Sequence, residues 1–505
     1  MTVLTDTLEK QRLATRSAPS TAAERVNKLN TLRSQIERYQ DVFADAASED
    51  FGGRPHFESR LIEVIGSLWV LDHARRNLTK WMKPERRSPQ ALFAGPNSLK
   101  VTYQPKGVVG IIAPWNMPLY LSIGPLVSAL AAGNRAMIKL PPETPKANEV
   151  IKKLLGEIFS NDEVAVFAGE IEDPSDFSAL AFDHIVFTGS PRVGRLVMEA
   201  AAKNLIPLTL ELGGKSPAIV AEDYSTSDAA LRITHGKIAM SGQICVAPDY
   251  ALVRQDRVDE FVKGVQTAFT RFYPSLKGDR PLYCSLINGH HAERIKALLD
   301  DARDKGANVV ACAPWDGGNT IPLHVVSGLT PDMRLAQEEV FGPILPVVGY
   351  NDLDDAIDYV NSNPHPLALY LFSTKSAVRD RILSETRSGG VTVNDWGWHV
   401  VNAAVPFGGV GNSGFGSYHG VEGFRELSNI RPVFERAPSF PTQLMYPPIN
   451  TGFRGIFQRF WMNVYSKKPD SALGGTPYGE PGANHQLKLD RPQESQTTSA
   501  EHQLA

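Results

Sequence analysis

A chain of 505 residues, with 42% apolar and 21% charged side chains, is long enough for two or three domains and a large buried core. Its net charge of −3 gives nucleic acid no electrostatic hold, and no stretch reaches the ~20 apolar residues that span a bilayer. Cys245, Cys284 and Cys312 are odd in number and widely spaced, which argues against a disulfide framework or a zinc site and for a reducing, cytoplasmic setting.

In chain order, residues 1–20 are polar and small and read as a flexible arm without an apolar signal segment. From Ala22 to Lys83 apolar positions recur at helical spacing, as at Leu61, Ile65, Leu68 and Leu71, which predicts a helical hairpin. Strands are predicted at 108–113, 135–140, 164–168 and 184–188, with helices at 123–132, ending at Gly133, and 145–159. This alternation specifies a parallel sheet covered by helices, a nucleotide-binding architecture. After Lys215 the pattern begins again, with strands such as 250–253 and 344–349. Residues 438–505 form a polar extension rich in Pro, Gly, Ser and Gln, expected to be disordered from about Lys467.

Chemistry-bearing residues concentrate in short runs. Cys245 lies in Gly242-Gln243-Ile244-Cys245, Glu211 opens Glu211-Leu212-Gly213-Gly214-Lys215, and Asn116 sits in Pro114-Trp115-Asn116-Met117-Pro118. Singly, each has an inert reading: a core thiol, a solvated loop carboxylate, a turn amide. Together they supply a nucleophile, a base and an amide donor, the set that oxidation of an aldehyde through a thioester requires. In the run from Phe187 to Gly194, Gly189 permits a tight turn and Ser190 can cap a helix whose first residue is Pro191. Open N–H groups at such a helix start suit a pyrophosphate.

In these motifs, their order and the spacing of Glu211 and Cys245, the chain resembles the aldehyde dehydrogenase superfamily from about Arg25 to Pro438. The resemblance implies an α/β fold with a Rossmann-type parallel sheet as cofactor domain (21–86 and 106–213). A second α/β domain would be catalytic (214–428), and a small β element (87–105 and 429–437) would bridge the subunits of a homodimer. It makes Cys245 the nucleophile of an NAD(P)-dependent oxidation that passes through a thiohemiacetal and a thioester. The Cys245 N–H and the Asn116 amide form the oxyanion hole, and Glu211 activates water against the thioester. Lys139, Gly189, Ser190, Gly194 and Trp115 fall at the cofactor. Glu339 and Phe341, in Glu339-Val340-Phe341-Gly342-Pro343, match the grip on the nicotinamide ribose and ring.

One departure bears on the cofactor. Where the family commonly carries a Glu for the adenosine ribose hydroxyls, this chain reads Lys139-Leu140-Pro141-Pro142-Glu143-Thr144-Pro145, with Pro142 at the acidic position and Glu143 one residue late. NAD and NADP both stay open.

The runs 366–370 and 406–414 resemble the class-three branch. Asp50-Phe51-Gly52, Trp81-Met82 and residues 107–110 resemble its coniferyl aldehyde dehydrogenase group, which implies aromatic or medium-to-long aliphatic aldehydes. Trp396 and Trp398, with Trp115, Met117 and Tyr120, are candidates for the wall of such a pocket, or else for core packing. His399 and His419 lack metal-ligand spacing and read as structural, so no metal is expected. In the tail, Phe453, Ile456, Phe457, Phe460, Trp461 and Val464 share a helical face among Arg454, Arg459, Lys467 and Lys468. Packing on the protein itself is expected of this stripe, with an interfacial membrane helix as the alternative. Two rivals to the acid-forming dehydrogenase reading are a coenzyme A-acylating enzyme, against which Glu211 counts, and a catalytically silent relative serving as a binding or structural protein.

Overall fold

Runs of Val, Ile, Leu and Ala that can be buried on both faces build two parallel-rich sheets. The computed structural model describes residues 2–16, 19–171, 173–276, 282–449 and 451–466. It divides into a large unit, Met1–Arg87 with Ser98–Phe434, and a small one, Ser88–Asn97 with the chain from Glu435 onward. In the large unit a six-stranded sheet runs Gly414–Phe415, Leu208–Leu212, His184–Gly189, Val108–Ile112, Arg135–Lys139, Val164–Phe167. Its neighbours are parallel except for Gly414–Phe415, which lies antiparallel to Leu208–Leu212. A seven-stranded sheet runs Asn308–Ala311, His324–Ser327, Ile344–Tyr350, Tyr250–Arg254, Pro217–Val220, Ala368–Phe372, Gly390–Val393, with only the first strand antiparallel to its neighbour. Gly414–Phe415 thus returns from the second α/β segment to edge the first sheet, a crossing that the sequence does not announce.

The helices hold the first sheet in place. Ala22–Asp50 starts at a capping box, Thr21 with Glu24. It ends at Asp50, whose carboxylate accepts from the Lys146 and Ala147 N–H groups at 3.0 and 2.8 Å and so caps the helix Pro145–Gly156. Tyr120–Ala132 is buried along its whole length and stops where Gly133 turns left-handed, with φ of 88°. A three-stranded sheet of Glu85–Arg87, Ser98–Pro105 and Ser428–Glu435 stands apart from the two larger ones.

Two expectations are corrected. The flexible arm expected over residues 1–20 is instead a helix, Val3–Ala14, capped by Thr2. Leu4 and Leu8 are buried in one cluster with Met137, Ala165 and Phe167. The Gln11 amide donates to the Ala136 and Asn161 carbonyls at 3.0 and 2.9 Å. Three anchoring side chains four or fewer positions apart give too short a pattern to stand out among polar neighbours. The tail stripe does form a helix, Gly452–Tyr465, but does not bury its face: Phe453, Ile456, Phe460 and Val464 are exposed and only Gly455 is buried. Within its unit this helix packs on the turn Thr442–Met445, where the Gln458 amide donates to the Leu444 carbonyl, and so short a partner cannot cover the stripe. The disorder expected from Lys467 lies outside the described residues.

A docked first helix makes a stability prediction. Leu8→Ala should cost about 2–4 kcal/mol, the usual range for a buried leucine, read as a lowered thermal midpoint. A loose arm would leave the midpoint where it was.

Candidate active site

The carboxyl ends of the first sheet, the turn after Val108–Ile112 and a loop of the second α/β segment meet at a cleft of about 270 Å³. Cys245, Glu211 and Asn116 all line it. Glu211 is held in Leu208–Leu212, in register with Thr188, and is only 1% exposed. Neither carboxyl oxygen has a hydrogen-bond partner among the described residues, and burial pushes the group well above the ordinary carboxylate range. Burial, and then the Glu339 and Glu211 carboxylates, push the Cys245 thiol up to about 12. The Asn116 amide donates to the Gln243 carbonyl at 2.9 Å, which fixes its plane and leaves its second N–H free for another acceptor.

Glu339 and Phe341 reach the same cleft. A side chain at Gly213 would place its first carbon 2.1 Å from Glu339 Oε2, so the carboxylate packs on bare backbone there. Burial, then Asp249, raise Glu339 to about 8. Phe341 adopts φ of 43° and sets its ring edge-on to Trp115 at 5.5 Å. Gly189 and Ser190 also line the cleft, and Ser190 Oγ accepts from the Val193 N–H at 3.3 Å as cap of the helix Pro191–Ala202. Gly194 lets that helix approach the sheet, since a methyl there would meet Leu212 at 2.8 Å. An open helix start, two aromatic rings and a buried carboxylate fit the phosphates, ring and ribose of a nicotinamide dinucleotide.

Other expected residues lie outside this cleft. Lys139 ends the strand Arg135–Lys139, its ammonium pushed down by burial and held up by Glu143, while Pro142 is exposed. Met117 is buried in the core, and Tyr120 is buried with its hydroxyl 3.3 Å from His419 Nε2. The Trp396 ring covers Gly236 and its N–H donates to His235 at 2.9 Å, whereas Trp398 is 57% exposed. His399 bonds Thr392 Oγ1 at 2.7 Å. No group of three His, Cys, Asp or Glu side chains among the described residues can hold a metal.

Sequence reasoning missed His291 and Arg294, which line the cleft from the helix Gly289–Asp304. His291 packs on Trp115 at 4.8 Å, and burial pushes it down to about 4. Arg294 donates to the carbonyls of Glu339 and Val340. Behind them Lys215 Nζ reaches Asp249 at 2.6 Å and the Leu335 and Glu338 carbonyls at 2.9 Å, while Asp249 accepts from the Val340 N–H at 2.7 Å. That buried pair ties the Glu211 run to the Glu339 run.

The model of the aldehyde dehydrogenase family matches residues 9–433. The chain belongs to that family. It is 45% identical over 463 residues to a probable coniferyl aldehyde dehydrogenase of Caulobacter vibrioides, covering 90% of this chain and 95% of that one. A coniferyl aldehyde dehydrogenase of a Pseudomonas species is 39% identical over 89% and 94% of the two chains. The substrate-bound Staphylococcus aureus AldH superposes with a TM-score of 0.85 at 34% identity, over 92% of this chain and all of that one. A betaine aldehyde dehydrogenase solved with NAD+, also from Staphylococcus aureus, gives 0.77 at 25% identity over 86% and 88%. This aldehyde dehydrogenase therefore oxidises an aldehyde to a carboxylic acid with a nicotinamide cofactor.

A thiol near 12 predicts the pH course of its own alkylation. In the cofactor-free enzyme, iodoacetamide labelling of the Cys245 peptide should accelerate about tenfold per pH unit from pH 7 to 10. A plateau below pH 9 would show a thiol acidified at rest.

Proposed function

We propose that Cys245, Glu211 and Asn116 perform this oxidation on aromatic aldehydes of the coniferyl type, or on medium- to long-chain aliphatic ones. The observation that carries the reading is one cleft holding a thiol, a carboxyl with both oxygens unpartnered among the described residues, and an amide with an N–H to spare. Cys245 Sγ bonds to the aldehyde carbon as the thiol proton passes to solvent water. The carbonyl oxygen becomes an oxyanion that accepts from Asn116 Nδ2. When bound, the nicotinamide supplies the hydride acceptor. The carbon left on sulfur is a thioester, and Glu211 takes a proton from the water that attacks it. The C–S bond breaks, the acid departs and the thiol is restored. A built-in water activator works against transfer of the acyl group to coenzyme A.

The relatives named for coniferyl aldehyde support an aromatic substrate. Met117, Tyr120, Trp396 and Trp398 remain the proposed apolar wall, of which Tyr120 lies within charge range of Cys245. Ile430 and Phe434, exposed on Ser428–Glu435, support the small sheet as the contact of a homodimer. Residues 21–86 with 106–213 serve as cofactor domain and 214–428 as catalytic domain. Among the described residues no helix is long and apolar enough to cross a membrane. A cytoplasmic location agrees with three unpaired cysteines.

Three outcomes test the reading. Cys245→Ala should abolish oxidation of a cinnamyl-type aldehyde and of a long-chain alkanal, with cofactor binding by titration kept. Glu211→Gln should retain a rapid burst of reduced cofactor while steady turnover falls about 10²–10⁴-fold; turnover at the wild-type rate would remove Glu211 as the base. The Glu143 charge beside Lys139 opposes a 2′-phosphate, which favours NAD. Glu143→Gln should accordingly raise kcat/KM for NADP relative to NAD by about tenfold, equivalent to 1.4 kcal/mol, and an unchanged ratio would discard that role.

A further inference from the structure

Behind the cleft lie one guanidinium and two carboxyls that the steps above do not use. Arg54 is fully buried, with its guanidinium 5.2 Å from the centre of the Phe51 ring. Its Nη1 donates to Glu63 Oε1 at 2.5 Å and to the Asn116 carbonyl at 3.4 Å. Its Nη2 lies 3.5 Å from Met240 Sδ. The other Glu63 oxygen accepts from the Leu119 and Tyr120 N–H groups at 2.8 and 3.3 Å, which anchors the chain just after Asn116. Glu58 Oε1 accepts from the Met240 N–H at 3.1 Å.

Met240 opens the turn that leads to the nucleophile. Met240 and Ser241 hold φ of 48° and 57°, and Gly242 follows at 75°. Two side-chain-bearing residues in the left-handed region persist only where their neighbours over-determine them. Here Glu58 holds Met240 by its backbone and Arg54 meets it by its sulfur. Gln243 closes the turn: its amide donates to the Met240 and Ser285 carbonyls at 3.0 Å, and its side-chain oxygen accepts from the Ile287 N–H. The Gln243 carbonyl is in turn the acceptor for Asn116 Nδ2. Asn116 and the Cys245 turn are therefore joined directly in front and through Arg54 behind.

Burying an ion pair is costly, and here Arg54 Nε and Glu58 Oε2 have no hydrogen-bond partner among the described residues, so an apolar filler would serve mere packing at least as well. What a charged, forked donor adds is direction. Burial pushes the Glu58 carboxyl up to about 7, against the pull of the Met240 N–H and of Arg54, and Tyr273, Tyr283 and Cys284 also face it. We propose that Arg54, clamped by Glu63 and assisted by Glu58, is a positioning residue that sets the spacing between the Asn116 amide and the Cys245 turn, and with it the shape of the oxyanion site. The proposal rests on the roles given above to Cys245 and Asn116.

A double-mutant cycle on the full-length enzyme separates positioning from general support. Asn116→Ala should lower kcat about 100-fold. Arg54→Met should lower kcat by roughly tenfold or more, with the Kd for NAD+ unchanged, and Arg54→Lys should recover part of the loss. Combined with Asn116→Ala, Arg54→Met should cost no more than about two- to threefold further, because the amide it positions is gone. If Arg54→Met does not fold, Glu58→Gln carries the same cycle, with a kcat loss of about three- to tenfold that disappears in the Asn116→Ala background. Losses that multiply in full, or wild-type kcat in both Arg54→Met and Glu58→Gln, would overturn the positioning role alone. Wild-type kcat in Asn116→Ala would instead bring down the oxyanion-site reading, and this proposal with it.

Discussion

A buried carboxyl, with neither oxygen hydrogen-bonded among the described residues, is the constraint on which the rest of the cleft depends. Glu211 stands at the end of a sheet strand, and its neighbours offer it no donor. In so dry a place the neutral acid is favoured, and each further anion nearby is disfavoured again. Glu339 and Cys245 face the same field, and each is raised by burial first and by its acidic neighbours second. Cys245 feels both carboxylates, so a charge on Glu339 or on Glu211 adds to the cost of ionising the thiol. A thiol so placed is held in its neutral form.

Geometry supplies what electrostatics alone would not. Open α/β sheets present ligands to the carboxyl ends of their strands, and here Thr188 and Glu211 lie side by side at that end. The second α/β segment brings Cys245 and Glu339, and the buried Lys215–Asp249 pair ties the start of that segment to the Glu339 run. The aromatic group of Trp115, His291 and Phe341 then roofs the place where a flat ring fits.

Much of this was legible in the chain because it was local. The strands at 108–112, 135–139, 164–167 and 184–189 announce themselves as short apolar runs. The helix start at Ser190-Pro191 follows from cap chemistry, and the Cys245, Glu211 and Asn116 runs are distinctive in residue type. What was not legible depended on partners distant in sequence. His291 and Arg294 sit on an ordinary amphipathic helix, and only the cleft reveals what their face meets. Leu4, Leu8 and Gln11 needed a sheet more than a hundred positions away to become anchors. The tail stripe shows the reverse, since periodicity predicted its helix but not that its face stays exposed.

The return of Gly414–Phe415 to the edge of the first sheet has a consequence for synthesis. Until those two residues leave the ribosome, Leu208–Leu212 presents an unpaired strand edge, the kind of surface that recruits other chains. Roughly two hundred residues, including the whole second sheet, must be translated first, which at ordinary elongation rates takes on the order of ten seconds or more. The nascent polypeptide thus carries Glu211 on an open edge throughout that interval. Holdase chaperones, slow codons or prompt burial by the second sheet are the means by which a cell could guard it.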